Sequence, residues 1–122
     1  MDNPSALIIE DQYDISIIFA RAIETAGFDT TITRAGDMAM KHLENSTPDL
    51  VLLDLQLPKV PGTDILRYIR STPRLKKVLV IIATAYPKMA EPLTDEADWI
   101  LHKPVSFGQL RDLALVIRAD RT

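Results

Sequence analysis

The sequence predicts an α/β domain built on one parallel sheet, and three observations carry that prediction. Short apolar runs alternate with amphipathic segments along the whole chain. The apolar runs are mostly continuous rather than alternating, as in strands covered on both faces. A polar or charged residue closes nearly every run, and in an open parallel sheet that is where ligands bind. Five strand–helix units are expected, with helices on both faces of the sheet.

Taken in order, Leu7-Ile8-Ile9 is the first strand. Ile15, Ile18, Phe19, Ala22, Ile23 and Ala26 follow at spacings of three and four, the apolar stripe of a helix, and Gly27 stands where a helix-ending glycine is expected. Residues 29–34, DTTITR, are rich in β-branched side chains and predict a second, partly exposed strand. Residues 37–45 form a short helix around Met38, Met40 and Leu43, and Pro48 closes the connection. Leu50-Val51-Leu52-Leu53 is unbroken apolar, as a doubly buried strand should be. The loop LQLPKVPG then leads into a helix carrying Ile65, Leu66 and Ile69. Val78 to Ala83 is the fourth and clearest strand, residues 99–102 (WILH) the fifth, and Leu110, Leu113, Ala114 and Ile117 mark the last helix. No repeat, low-complexity tract or linker interrupts this series, so the expectation is one domain spanning 1–122.

Composition narrows the function. Hydrophobic residues make up 47% and charged residues 25%, the usage of an ordinary soluble domain. The net charge of −3 argues against a nucleic-acid or membrane-surface binder, which would carry a basic excess. With no cysteine there is no disulfide, thiolate nucleophile or cysteine-based zinc site. The longest apolar run falls far short of the roughly 20 residues that span a bilayer. The N-terminal stretch lacks the basic flank and apolar core of a signal peptide, so a cytoplasmic location is expected.

The chemistry lies at the strand ends. The first strand ends in Glu10-Asp11, the third in Asp54, the fourth in Thr84 and the fifth in Lys103-Pro104. Were the strands to run in the order 2-1-3-4-5, which the sequence does not itself show, Glu10, Asp11 and Asp54 would meet, with Thr84 and Lys103 on the far rim. Three crowded carboxylates repel one another unless a cation relieves them. Mg²⁺ suits such a site, because it takes one or two carboxylates together with water and phosphoryl oxygens. Lys103 adds a point positive charge and Thr84 a hydroxyl, a set that fits phosphoryl transfer with Asp54 as nucleophile. Each residue alone is ordinary, as a solvated loop acid, a cap or a turn residue. Their joint placement after different strands is what points to a site. Without Glu10, Asp11 and Asp54 the acids would number 14, equal to the bases, so the formal excess matches the proposed pocket.

With those residues in place, the sequence resembles the receiver domain of two-component response regulators over essentially its whole length. Glu10-Asp11 resembles the family's acidic pair, DLVLLDLQLPKVPG (49–62) its phosphoacceptor segment, IIATA (81–85) its switch-threonine segment, and LHKPV (101–105) its Lys-Pro step, where the peptide bond is usually cis. The resemblance implies a flavodoxin-like (βα)5 fold with strand order 2-1-3-4-5. It implies that Asp54 accepts a phosphoryl group from a sensor histidine kinase or phosphotransfer protein. Asp11, Asp54 and the backbone carbonyl of Gln56 would ligate Mg²⁺, and Glu10 would act through an intervening water. Lys103 would pair with the phosphoryl group, and Thr84 would move toward it and shift the surface built by the fourth helix, fifth strand and fifth helix. A separate downstream effector protein would read that change; no direct contact with nucleic acid and no membrane insertion are expected. The domain would assist its own phosphorylation and dephosphorylation without being a dedicated enzyme.

The sequence departs from the family pattern in three ways. The usual aromatic three residues before the lysine is Ile100, with Trp99 just before it as a candidate substitute. The stretch between Thr84 and Lys103 is short and holds Pro87 and Pro92. Pro87 can open a helix but Pro92 inside one would cost roughly 3 kcal/mol, so a short or irregular fourth helix is expected. No output domain follows the last helix, which suggests a stand-alone receiver or an excised one. A homodimer is left open, because the face many receivers use for it is the altered one. Gln56 and Tyr86 occupy positions that tune phosphoryl lifetime in the family, and a bulky Tyr86 is expected to shield the acyl phosphate from water. Arg67, Arg70, Arg74, Lys76 and Lys77 are expected to be solvated surface, and His42 and His102 to be structural.

Other classes fit less well. A Mg²⁺-dependent aspartyl-phosphate phosphatase of the haloacid-dehalogenase type needs a second Asp two residues after its nucleophile, where this chain has Gln56. A flavin-binding module would want a phosphate-binding loop after the first strand, where Glu10-Asp11 repels phosphate. A phosphorylation-independent pseudo-receiver, acting only as a protein-interaction module, would have lost part of the five-residue set that is intact here.

Overall fold

The unbroken apolar runs pair with one another because each is too apolar to face water on either side. In the structure, a computed structural model that describes residues 3–120, they form β1 (Ser5–Ile9), β2 (Asp29–Thr33), β3 (Leu50–Leu53), β4 (Leu79–Thr84) and β5 (Trp99–His102). All four pairings are parallel and the strand order is β2-β1-β3-β4-β5. Five helices connect and close the strands: α1 (Tyr13–Thr25), α2 (Gly36–Asn45), α3 (Gly62–Ser71), α4 (Pro87–Ala90) and α5 (Phe107–Asp120).

Side-chain alternation along the strands divides the core in two. Leu7, Ile9, Val51, Leu53, Val80 and Ile82 pack under α2 and α3, while Ala6, Ile8, Leu50, Leu52, Ile81 and Ala83 pack under α1 and α5. The same alternation settles the pair on β5. Ile100 joins the α2–α3 layer and Trp99 joins the α1–α5 layer. Trp99 is therefore on the wrong side of the sheet to replace an aromatic at position 100.

The expected break in the fourth helix is present. Pro87 opens α4 as its first residue, and after one turn the chain tightens into a 3₁₀ segment, Glu91–Leu93, with Pro92 in it. Proline lacks the N–H an α-helix would need at its interior, so the segment stops there.

Two apolar expectations fail. Ile18 is 45% exposed and Met38 55% exposed. Each helix buries a stripe narrower than its apolar spacing suggests. The basic stretch is also more than solvated surface. Arg70 donates to the carbonyls of Glu96, Lys76 and Val78 and to Asp98. Arg74 donates to the carbonyls of Leu43 and Ser46, satisfying the orphaned end of α2. Arg67, in an exposed 3.8 Å contact with Asp64, and the exposed Lys76 and Lys77 behave as foreseen. His42 is half-buried, but His102 is exposed at the end of β5, so it is no core residue.

Candidate functional site

Register brings the strand-end residues to one level. Ile9 pairs with Leu53, and Leu53 with Ile82, so Glu10 and Asp54 leave adjacent strands side by side. The ladder continues one residue past the strands: Glu10 N donates to Thr33 O at 3.1 Å, Asp54 N to Ile9 O at 3.0 Å, and Lys103 N to Thr84 O at 2.8 Å. Glu10, Asp54 and Lys103 are thus carried on backbone that the neighbouring strand fixes. Lys103 precedes Pro104 through a cis peptide bond.

Below the surface, Lys103 Nζ bridges two carboxylates, donating to Glu10 Oε1 at 2.6 Å and Asp54 Oδ2 at 3.2 Å. The other Asp54 oxygen accepts the Gln56 N–H at 3.1 Å, and Glu10 Oε2 accepts the Gln12 N–H at 3.3 Å. Glu10 is 1% exposed and Asp54 7% exposed. Asp11 is exposed at the mouth. A cleft of about 330 Å³ opens above them, lined by Asp11, Gln12, Asp54, Gln56, Ala85, Tyr86 and Lys103. Glu10 lies beneath its floor, as does Thr84, which is fully buried. The Thr84 hydroxyl accepts the Tyr86 N–H at 3.0 Å.

The space at Gly62 explains how the helix after Asp54 begins. A Cβ there would stand 2.5 Å from the Asp54 carbonyl oxygen and 2.6 Å from Leu55 Cα, so only glycine allows α3 to start against this backbone. Gln12 is a cleft residue that sequence reasoning did not single out. Its part is played by its backbone N–H, which no side-chain pattern announces.

The electrostatics are unbalanced. Three carboxylates face one lysine, a formal charge of −2 if all are ionised. Burial, reinforced by the Asp54 charge, pushes the Glu10 carboxyl up to about 7 although Lys103 pulls it down. Burial works against the charge on Lys103, but its contacts with Glu10 and Asp54 outweigh this and hold its pKa above the ordinary value. Glu10, Asp11 and Asp54 each offer an oxygen, and the three lie within 4.8 Å of one another. A hard divalent cation matches that donor set, since Mg²⁺ and Ca²⁺ take oxygen ligands and the excess charge is negative. The structure thus brings Glu10, Asp11, Asp54, Gln56 and Lys103 together, and sets Thr84 one layer below with its hydroxyl turned to the start of α4.

Comparison with known proteins agrees with this geometry. The response regulator receiver domain family matches residues 6–115. The chain is 31% identical over 110 residues to the phosphate regulon transcriptional regulatory protein PhoB of Rhizobium meliloti, covering 88% of this chain and 48% of that protein. It therefore spans about half the length of that relative. It is 34% identical over 82 residues to the polar-differentiation response regulator DivK of Brucella ovis, covering 67% of each. Among solved structures, the signal receiver domain of a LuxO repressor protein from Vibrio parahaemolyticus superposes with a TM-score of 0.83 at 28% identity, covering 98% of this chain and 95% of that one. The CheY-like receiver domain from Methylobacillus flagellatus shares the fold with the same TM-score, 0.83, at 23% identity, covering 95% of this chain and 99% of that one. With one matched family running through all five strands and the whole strand-end cluster, the chain belongs to the response regulator receiver domains of two-component systems.

Proposed function

We propose that the chain is a phosphoacceptor relay domain, taking a phosphoryl group on Asp54 from the phosphohistidine of a sensor histidine kinase or phosphotransfer protein. The observation that carries this is the state of Asp54: a buried carboxylate under an open cleft, one oxygen held by Lys103 at 3.2 Å and the other by the Gln56 N–H at 3.1 Å. In the step, a carboxylate oxygen of Asp54 attacks phosphorus, the new O–P bond forms as the N–P bond breaks, and the imidazole leaves with the electron pair. Return to the resting state is attack by water, which releases inorganic phosphate and restores the carboxylate.

Asp11, Asp54 and the Gln56 carbonyl would hold Mg²⁺, with Glu10 supporting it less directly. Bound there, the cation offsets negative charge on the carboxylates and on the phosphoryl oxygens. Lys103 shares that task from within the chain, as a fixed cation already oriented by Glu10. Thr84 exchanges its bond with the Tyr86 N–H for one with a phosphoryl oxygen, which frees the start of α4 and alters the surface a separate effector protein reads. Tyr86, exposed and lining the cleft, restricts the approach of water to the acyl phosphate. The domain assists these steps on itself and is not a dedicated enzyme. Its setting would be cytoplasmic; no helix among the described residues is long and apolar enough to cross a membrane.

Incubation with acetyl phosphate and Mg²⁺ followed by intact-mass measurement tests the reading. It expects a gain of one phosphoryl group that Asp54→Asn abolishes. No gain at any Mg²⁺ concentration would favour a pseudo-receiver that works by protein contact alone.

A further inference from the structure

The loop joining β3 to α3 carries the residues beside Asp54, and the start of α2 holds it from behind. Pro58 O accepts two backbone donors, Val60 N at 3.0 Å and Gly36 N at 2.9 Å. The first closes a three-residue γ-turn centred on Lys59, whose φ of 77° lies in the region that side chains avoid. A strained turn of this kind persists only where its surroundings over-determine it. Gly36 supplies that constraint. It is buried, and a Cβ on it would stand 2.2 Å from Val60 O, 2.6 Å from Val60 Cβ and 2.8 Å from Val60 N. No side chain fits, so the first residue of α2 meets the turn backbone to backbone. Gly62 makes the corresponding close approach from α3, against Asp54 and Leu55. Two helices thus grip one loop, at its near and far ends, through residues without side chains.

We propose that Gly36 is a positioning residue for phosphoryl transfer. Its N–H and its lack of a side chain hold the turn at 58–60, and through it Gln56, in the arrangement that completes the cation site beside Asp54. This rests on the phosphoacceptor reading above, and it adds a residue 18 positions before Asp54 that does not line the cleft. Because coupling between two sites is reciprocal, a cation that favours the held loop also favours the Gly36–Pro58 bond.

Amide hydrogen exchange on the unmodified chain reads that coupling without any chemistry. Saturating Mg²⁺ is expected to slow exchange at Gly36 beyond the slowing at Ala114 in α5, which reports global stabilisation. Equal slowing at the two positions would overturn the proposal. In Gly36→Ala, the Mg²⁺ concentration for half-maximal acyl-phosphate formation from acetyl phosphate is expected to rise about tenfold, with the rate recovered at saturating Mg²⁺. Gly108→Ala is the control, since a Cβ there meets only Arg111 Nη2 at 3.7 Å, and its midpoint should stay put. A folded Gly36→Ala variant with an unchanged midpoint would also overturn the proposal. If that variant does not fold, the exchange measurement decides. Absence of an adduct on the unmodified chain would count against the phosphoacceptor role and leave the exchange result to judge the clamp.

Discussion

Lys103 and Glu10, 93 positions apart, meet in an ion pair of 2.6 Å at the carboxyl edge of the sheet, with Glu10 almost wholly buried. On the proposed phosphoacceptor reading, the pair presets the lysine for a phosphoryl oxygen on Asp54. It also leaves Glu10 dependent on one cation. Replacing Lys103 with Met should slow acyl-phosphate formation while raising Mg²⁺ affinity, because the acidic cluster loses the lysine that pairs with Glu10 and Asp54. The metal-free variant should lose about 3 kcal/mol at pH 8, and less at pH 5.5, where Glu10 can take up a proton instead. Urea unfolding at the two pH values, with calorimetric Mg²⁺ titration, checks each part.

Glu10 also sets a pH dependence for the metal-free protein. Its pKa is raised from an ordinary 4.5 to about 7, so between those values the folded state binds more protons than the unfolded state. Stability contributed by this group is therefore present below pH 4.5 and declines as pH rises toward 7. Mg²⁺ should offset the loss above pH 7, by binding the folded state alone. Thermal unfolding across pH 5 to 8 should show the decline in Mg²⁺-free buffer, and Glu10→Gln should flatten it.

Arg70 is expected to matter for folding and not for the site. Its guanidinium ties the end of α3 to three backbone carbonyls and Asp98 at the opposite edge of the sheet. Arg70→Met removes the donor to the part-buried carbonyls of Glu96 and Val78, leaves Asp98 with the Val80 N–H, and should cost about 2–3 kcal/mol in urea unfolding. Arg67→Ala, which removes only an exposed contact with Asp64, should change stability by less than about 0.5 kcal/mol. A reversed order would show that the Arg70 network is not what secures this edge.

Tyr86 lines the cleft and is half exposed, with its backbone held by the Thr84 hydroxyl. Tyr86→Ala should shorten the lifetime of the phosphorylated state, followed as phosphate release after removal of the donor. Rapid hydrolysis unchanged by the substitution would remove Tyr86 from the account.

Much of the fold was legible because it rests on patterns that sequence carries directly. Unbroken apolar runs such as Leu50 to Leu53 have nowhere to go but a doubly covered strand, and a polar residue directly after such a run must emerge at its carboxyl end. That logic put Glu10, Asp11, Asp54, Thr84 and Lys103 at the strand ends, but Lys103, expected on the far rim, reaches between Glu10 and Asp54. The prolines at 87 and 92 shortened α4 as expected. What stayed hidden depends on backbone groups brought together by the fold. Arg70 and Arg74 are mostly consumed by carbonyls up to 31 positions away, and a carbonyl looks the same in every residue. The positive φ of Lys59 is equally silent, since lysine is not a residue that turn chemistry would nominate. Ile18 and Met38 fit the helical spacing yet stand exposed, because spacing shows which residues share a face but not how far the neighbouring element covers it.

The central claim is that the Asp54 side chain itself becomes an acyl phosphate. Borohydride reduces an aspartyl phosphate to homoserine, and peptide mass spectrometry locates the change. After treatment with acetyl phosphate and Mg²⁺, the account predicts homoserine at position 54 and at no other position, dependent on both reagents. Homoserine elsewhere, phosphate on a different side chain, or an unaltered Asp54 at saturating Mg²⁺ would contradict it.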